Sequence, residues 1–498
     1  MTATEQRRSS RSGAIGLLGA AVNGAFGFVL TTVILRTFGA AGSGELFSVI
    51  GLVTIAGAVC CLGADTALMW ALPRRPADVD RLLPVALLPT LAASLVVGAA
   101  GFIGFGSLRW AFAGIPVVVA ATVLLAAVRA TRPIGTYVAV QLVFVPAARP
   151  LLILGAVALG GGALLGFAAW LLPLAVAALI ALTLLVRPLD RFARPLPAEW
   201  RTFWGFARPL PADWRTFWGF ARPLPADWRT FWGFALPRAA SVAIDASSMW
   251  VGVLLTAALA TKAEAGVFAA VGRYALAGLL IMQGLRVAVA PQLSRLLGAG
   301  RRDEAARVYR RTTLWIVVLS WPAYLLLAVF APAFLALFGA QFGGGATPLA
   351  VLAAAMLVNV GVGLVQTVLL MSGNSRAHLL ATVAGLLLNV GAAVVLIPRH
   401  GALGAAIAWS LGIVTENALA AVLARRALGA PLGSTALVRA GALVAAATGV
   451  VATVGVLAGG RGLAGLTIAL GLLVAGCLGS LLDPRARGAL AGIRVDLR

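Results

Sequence analysis

Apolar residues run along this chain in long blocks, with polar residues confined to the short gaps between them. About fourteen blocks approach the twenty residues an α-helix needs to cross a bilayer. In the first half they fall at about 13–35, 46–72, 82–106, 111–128, 133–160 and 163–186. In the second half they fall at about 236–258, 274–297, 312–338, 347–371, 379–397, 402–424, 437–457 and 463–482. Gly and Pro recur inside the blocks, as in helices that pack closely in lipid. The pattern predicts an all-α polytopic membrane protein with about fourteen transmembrane helices.

One polar stretch, residues 193–234, separates two apolar halves. It writes a fourteen-residue phrase three times, ARPLPAEWRTFWGF and then ARPLPADWRTFWGF twice. Pro197 suits the first turn of a helix, and Glu199 suits its positive N-terminal end. Trp200, Phe203, Trp204 and Ala207 then form an i, i+3, i+4, i+7 stripe, with Arg201 and Thr202 off it. Pro209 stops the helix and opens the next copy. Each copy thus predicts a helix of roughly ten residues, marginal alone in water and suited to a membrane surface. One reading of the triplication is a recent in-frame duplication, with a single copy sufficient. The other is a lengthened amphipathic collar that binds anionic lipid.

Composition agrees with the membrane reading: 61% of residues are hydrophobic and 11% charged, and mean hydropathy is +1.00. The formal net charge of +23 would suggest nucleic acid were it not for its placement. The basic residues are arginines except for Lys262, and they cluster in alternate gaps. With the N-terminus inside, 31 fall on the inner side and six outside: Arg36, Arg109, Lys262, Arg273, Arg399 and Arg461. That bias predicts cytoplasmic termini and a cytoplasmic repeat, and leaves no nucleic-acid partner to explain. Cys60, Cys61 and Cys477 lie in apolar segments and suit packing rather than a disulfide framework.

No catalytic or metal-binding motif is present, so an enzyme is not expected. His378 and His400 sit at loop edges, and the glycines at 160–162 lack a strand–loop–helix context. The informative residues are charges within apolar segments, where each costs about 2.5–3.5 kcal/mol. Arg149 and Arg286 each lie about 18 Å into their segments at 1.5 Å per residue. Asp245 lies in VAIDASS, Glu416 in VTENAL and Asp65 in LGADTAL, while Arg36 closes the first helix. On a functional reading, Arg149, Arg286 and Arg36 attract a phosphate-bearing substrate in a water-filled cavity. Asp245, Glu416 or Asp65 then takes a coupling proton or sodium ion. On a structural reading they are helix-to-helix ion pairs, for example Arg149 with Asp245.

Several long stretches resemble a known family. ILRTFGAAGSGELFSVIGLVTIAGAVCCLGADTALMW, LRVAVAPQLSRLLGAGRRDEAARVYRRTT and, most specifically, LIPRHGALGAAIA at 396–408 are similar to polysaccharide-transporter and O-antigen flippase sequences of the multidrug/oligosaccharidyl-lipid/polysaccharide (MOP) superfamily. The resemblance covers about 1–428 outside the repeat. It implies two six-helix bundles with pseudo-twofold symmetry, at 1–192 and 235–428, joined by the 193–234 linker. Two extra helices and a basic tail follow at 429–498. It further implies a monomeric flippase of the bacterial plasma membrane that carries an undecaprenyl-diphosphate-linked oligosaccharide by alternating access. Such a protein works without a cofactor, among membrane lipids and beside glycosyltransferases and a glycan polymerase. Drug or cation antiport within the same superfamily is the alternative. A membrane enzyme of glycan polymerisation is disfavoured by the short outer loops.

Overall fold

A computed structural model describes residues 3–74, 79–104, 109–186 and 225–482. Among them every regular element is a helix, and no strand occurs. The order is α1 (Ala3–Cys60), α2 (Ala64–Ala71), α3 (Val79–Gly104), α4 (Arg109–Phe112), α5 (Ile115–Thr131) and α6 (Ile134–Tyr137). A π-helical stretch (Val138–Phe144), α7 (Val145–Ala158), α8 (Ala163–Val186) and α9 (Pro225–Leu259) follow. Then come α10 (Lys262–Ala277), α11 (Leu280–Gly298), α12 (Arg302–Val329), α13 (Ala331–Ala336) and a 3-10 turn (Ala340–Gly345). The described residues end with α14 (Ala346–Gly361), α15 (Val365–Met371), α16 (Ser375–Leu428), α17 (Thr435–Gly459) and α18 (Leu463–Leu482).

Among the described residues nine helices are long and apolar enough to cross a membrane, or ten if the bent pair α10–α11 is one crossing. Two of the nine, α1 and α16, each contain a kink and so carry two of the expected segments. The kinks fall at Gly39 (φ 65°, ψ −171°) and Gly401 (φ 52°, ψ −129°). Positive φ there is open to glycine at little steric cost. Shorter apolar stretches at Trp250–Leu259 and Leu463–Gly476 supply the remainder. The protein is therefore an all-α polytopic membrane protein.

The sequence placed a loop between 258 and 274. The structure begins α10 at Lys262 instead, because the Thr261 side chain accepts the Glu264 N–H and caps that helix. Arg273 accordingly lies on a helix rather than in a loop.

The chain packs as two compact units. Unit 1 takes the described residues up to Phe38 and from Glu45 to Leu254. Unit 2 takes Gly39–Gly44 and the residues from Leu255 onward. In unit 1, α5 packs against α2, α3 and α8 and buries Val119, Val123, Leu124 and Val128. Cys60 and Cys61 are buried free thiols beside it, whereas the side chain of Cys477 lies outside the described set.

The third repeat copy opens α9, with Pro225 at its start and Asp227 in its first turn. Its stripe is buried at Phe231 (1% exposed) and Ala235 (0%), while Arg229 and Thr230 are exposed. Phe234 stacks on Trp70 at 4.7 Å and 12°. Part of the apolar face thus packs on protein at the end of α2, while Trp228 and Trp232 are half-buried. Nor does the helix stop after ten residues: α9 continues to Leu259. Residues 193–224, with the first two copies, lie outside the described residues.

In unit 2, α12 packs against α11, α14 and α17, and α14 packs against α10 and α16. The Gly39–Gly44 segment lies tight against the start of α10. A Cβ added at Gly44 would sit 1.7 Å from the Lys262 carbonyl oxygen, and one at Gly266 2.0 Å from that of Ala40. Small residues alone permit such backbone contact.

Candidate functional site

In unit 1, Arg149 sits on α7 just after the π-helical stretch. Pro146 supplies no N–H to the regular i→i−4 ladder, and its ring crowds the preceding turn. The helix widens there, and the Val145 N–H reaches back five residues to the Val140 carbonyl. π-Turns of this kind often mark functional positions. The half-buried Arg149 donates from Nε to the Trp170 carbonyl at 3.1 Å, and its guanidinium lies 4.2 Å from the Trp170 ring centroid. Phe167 stacks on Trp170 at 5.8 Å, and Trp110 meets Phe167 edge-on at 5.4 Å.

Arg36 is exposed on α1, three residues before the Gly39 kink. Asp65 lies in the first turn of α2, after the helix breaks at Cys61–Gly63. Its Oδ1 is buried without a hydrogen-bond partner among the described residues. Asp245 lies on α9, but its side chain is outside the described set, so its suggested pairing with Arg149 is too. A cleft of about 110 Å³ lies elsewhere in this unit, between the third repeat copy and α2–α3. Trp70, Arg74, Leu82, Asp227, Thr230 and Phe231 line it.

In unit 2, α10 and α11 meet at a 42° bend, and Arg286 follows on α11. Its side chain is exposed and makes no hydrogen bond or ion pair among the described residues. Gln283, one turn earlier on the same face, is also exposed.

Glu416 is in a different situation. The two legs of α16 cross at Gly385 and Gly412, where a Cβ on Gly385 would come within 2.8 Å of the Glu416 Cβ. The crossing brings Thr382 to Glu416: Thr382 Oγ1 donates to Glu416 Oε1 at 3.0 Å, and Gln366 Nε2 donates to the same oxygen at 2.8 Å. One residue on, Asn417 Nδ2 donates to Asn359 Oδ1 at 3.1 Å, tying α16 to α14. Both groups donate to one carboxylate oxygen and so fix its orientation at the crossing. Among the described residues no group of three or more His, Cys, Asp or Glu could hold a metal.

Arg149, Arg36 and Asp65 therefore belong to unit 1, and Arg286 and Glu416 to unit 2. Sequence reasoning missed Glu264. Its Oε2 accepts the Ala402 N–H at 2.7 Å, capping the helix that resumes after the Gly401 kink. The signal was available: Gly401 follows Pro398, Arg399 and His400, a helix-breaking run inside an apolar stretch.

Residues 237–395 match the MatE family model. Among solved structures, "Lipid II flippase MurJ, inward closed conformation" superposes with a TM-score of 0.64 at 11% identity, over 95% of this chain and 98% of that one. An inward-facing MATE family multidrug resistance transporter of the MOP superfamily gives 0.60 at 15% identity, over 82% and 94%. The fold is that of the MATE transporters and of MurJ. A MOP superfamily transporter from Pyrococcus furiosus, described as having a binding pocket of reverse polarity that suggests a different function, gives 0.53 at 16%, over 85% and 95%. No curated protein matches the sequence.

Proposed function

We propose that the protein is a membrane transporter that moves a lipid-linked oligosaccharide, carried on undecaprenyl diphosphate, between bilayer leaflets by alternating access. Arg286 is the observation that carries this reading. An exposed guanidinium within an apolar helix, without a partner among the described residues, is costly against lipid and stable against water. A water-filled, cationic surface attracts phosphate, which guanidinium pairs with bidentately. Arg149 and Arg36 are the corresponding anion contacts of unit 1. The MurJ likeness supports a lipid substrate by its extent. It leaves out 5% of this chain, too little to omit both α17 and α18, of 25 and 20 residues. The MATE likeness leaves out 18%.

Glu416 is the proposed coupling group, taking a proton on the carboxylate that Gln366 and Thr382 orient. One charge crossing the membrane is worth about 2.3 kcal/mol per 100 mV, enough to bias the cycle. Asp65 and Asp245 are the other candidates of this kind. The chain is organised in this reading as bundles at 1–192 and 235–428, a linker at 193–234, and a final helix pair with its tail at 429–498. It works as a monomer in a bacterial plasma membrane with both termini cytoplasmic, beside glycosyltransferases and a polymerase.

The MatE match favours a second reading, antiport of an organic cation against protons or sodium. Vesicles reconstituted with the wild type separate the two. Movement of a lipid-diphosphate oligosaccharide without organic-cation efflux is the expected result. Efflux without lipid movement would replace the flippase by the antiporter.

A further inference from the structure

Arginines gather at one end of unit 2, where α11 ends, α12 begins, α15 turns into α16, and α16 passes into α17. A single buried cluster joins these ends, among them Leu293 on α11, Ala306 and Tyr309 on α12, Leu369 on α15, and Ala377 and Leu428 on α16. Two polar ties reinforce it. The Tyr309 hydroxyl donates to the Val362 carbonyl, and Arg310 Nη1 donates to the Pro431 carbonyl at 3.1 Å.

Because this cluster takes the apolar side of the first turns of α12, the charged side is turned out. Ala305, Ala306 and Tyr309 are buried, while Arg307 and Arg311, one turn apart, are exposed. Arg302, Arg376, Arg426 and Arg439 are exposed at the same end. None of these six side chains forms a hydrogen bond or ion pair with another described residue. The acids described at this end are Asp303 and Glu304, and Glu304 is already held by Arg301 through bonds of 2.6 and 2.5 Å.

Charge bias during insertion accounts for the sign of these residues. It does not require that they finish without carboxylate partners among the described residues, grouped over one buried apolar cluster. We propose that this end of unit 2 is a binding surface for the phosphate headgroups of anionic phospholipids. Guanidinium groups pair bidentately with phosphate oxygens, and the shared apolar cluster fixes the helix ends from which these arginines project. The surface is separate from Arg286 and Glu416, and it stands whether or not the transport reading does.

The test is lipid retention by the purified full-length chain, read by native mass spectrometry against phosphatidylglycerol and phosphatidylcholine. The wild type is expected to retain phosphatidylglycerol preferentially. Arg307→Gln with Arg311→Gln and Arg426→Gln is expected to lower that preference on the order of a hundredfold, at roughly fivefold per arginine near an anionic surface. Replacing the same three by lysine keeps the charge and is expected to keep most of the preference. Equal retention of the two lipids by the wild type overturns the proposal without any variant. An unchanged preference in the folded glutamine variant overturns it as well. Displacement by millimolar inorganic phosphate would reassign the surface to free phosphate, and equally tight binding of a polyglutamate peptide would reassign it to an acidic protein.

Discussion

Arg149 and Arg286 look alike in the sequence and differ in the structure. Arg149 is anchored to the Trp170 carbonyl and ring, whereas Arg286 is exposed without a described partner. Arg149→Ala should therefore lower thermal stability, by about 1–2 kcal/mol for a hydrogen bond and a cation–π contact. Arg286→Ala should leave it within about 0.5 kcal/mol. Parallel melts in detergent check both; equal losses would mean that Arg286 also has a structural partner. Glu416→Gln keeps an acceptor for Thr382 and Gln366 but cannot carry the proton, so the pH dependence of transport should flatten. A profile superimposable on the wild type removes Glu416 as the coupling group. That these residues were worth naming was legible from charge inside apolar runs. Which of them is held and which is open was not, because it depends on side chains more than fifteen positions away, such as Trp170, Thr382 and Gln366. Glu264 escaped notice for the same reason. Its partner is Ala402, and Glu264→Ala should cost about 1 kcal/mol, as loss of a helix cap does.

At the level of elements, close contact and repetition carry the consequences. Gly44 and Gly266 meet backbone at distances where no Cβ fits. Gly266→Leu should therefore reduce the folded yield sharply, measured by gel filtration after extraction; a monodisperse wild-type yield would contradict the packing described. The third repeat copy buries Phe231, so Phe231→Ala should destabilise by about 3–5 kcal/mol. Deleting residues 193–220 should spare this contact and leave melting and function near wild type; loss of either would mean that the earlier copies have a role of their own. The helix start at Pro225 and Asp227 and the buried stripe follow directly from the repeated phrase. Its run-on into α9 does not, because copies one and two continue into ARPLP and the third into ALPRA.

For the molecule as a whole, long apolar blocks made the all-α membrane fold legible, since only helices or closed barrels satisfy the backbone in lipid. The kinks at Gly39 and Gly401 join blocks that the sequence shows as separate. What no pattern of apolarity conveys is the cargo. The central claim is that arginines within the apolar helices serve an anionic, diphosphate-bearing lipid. The measurement that tests it most directly is transbilayer movement of a lipid-diphosphate oligosaccharide in reconstituted vesicles, for the wild type and for Arg149→Ala with Arg286→Ala. The account predicts movement by the wild type and its collapse in the folded double variant. Normal movement by that variant would remove both arginines from the substrate path and contradict the account.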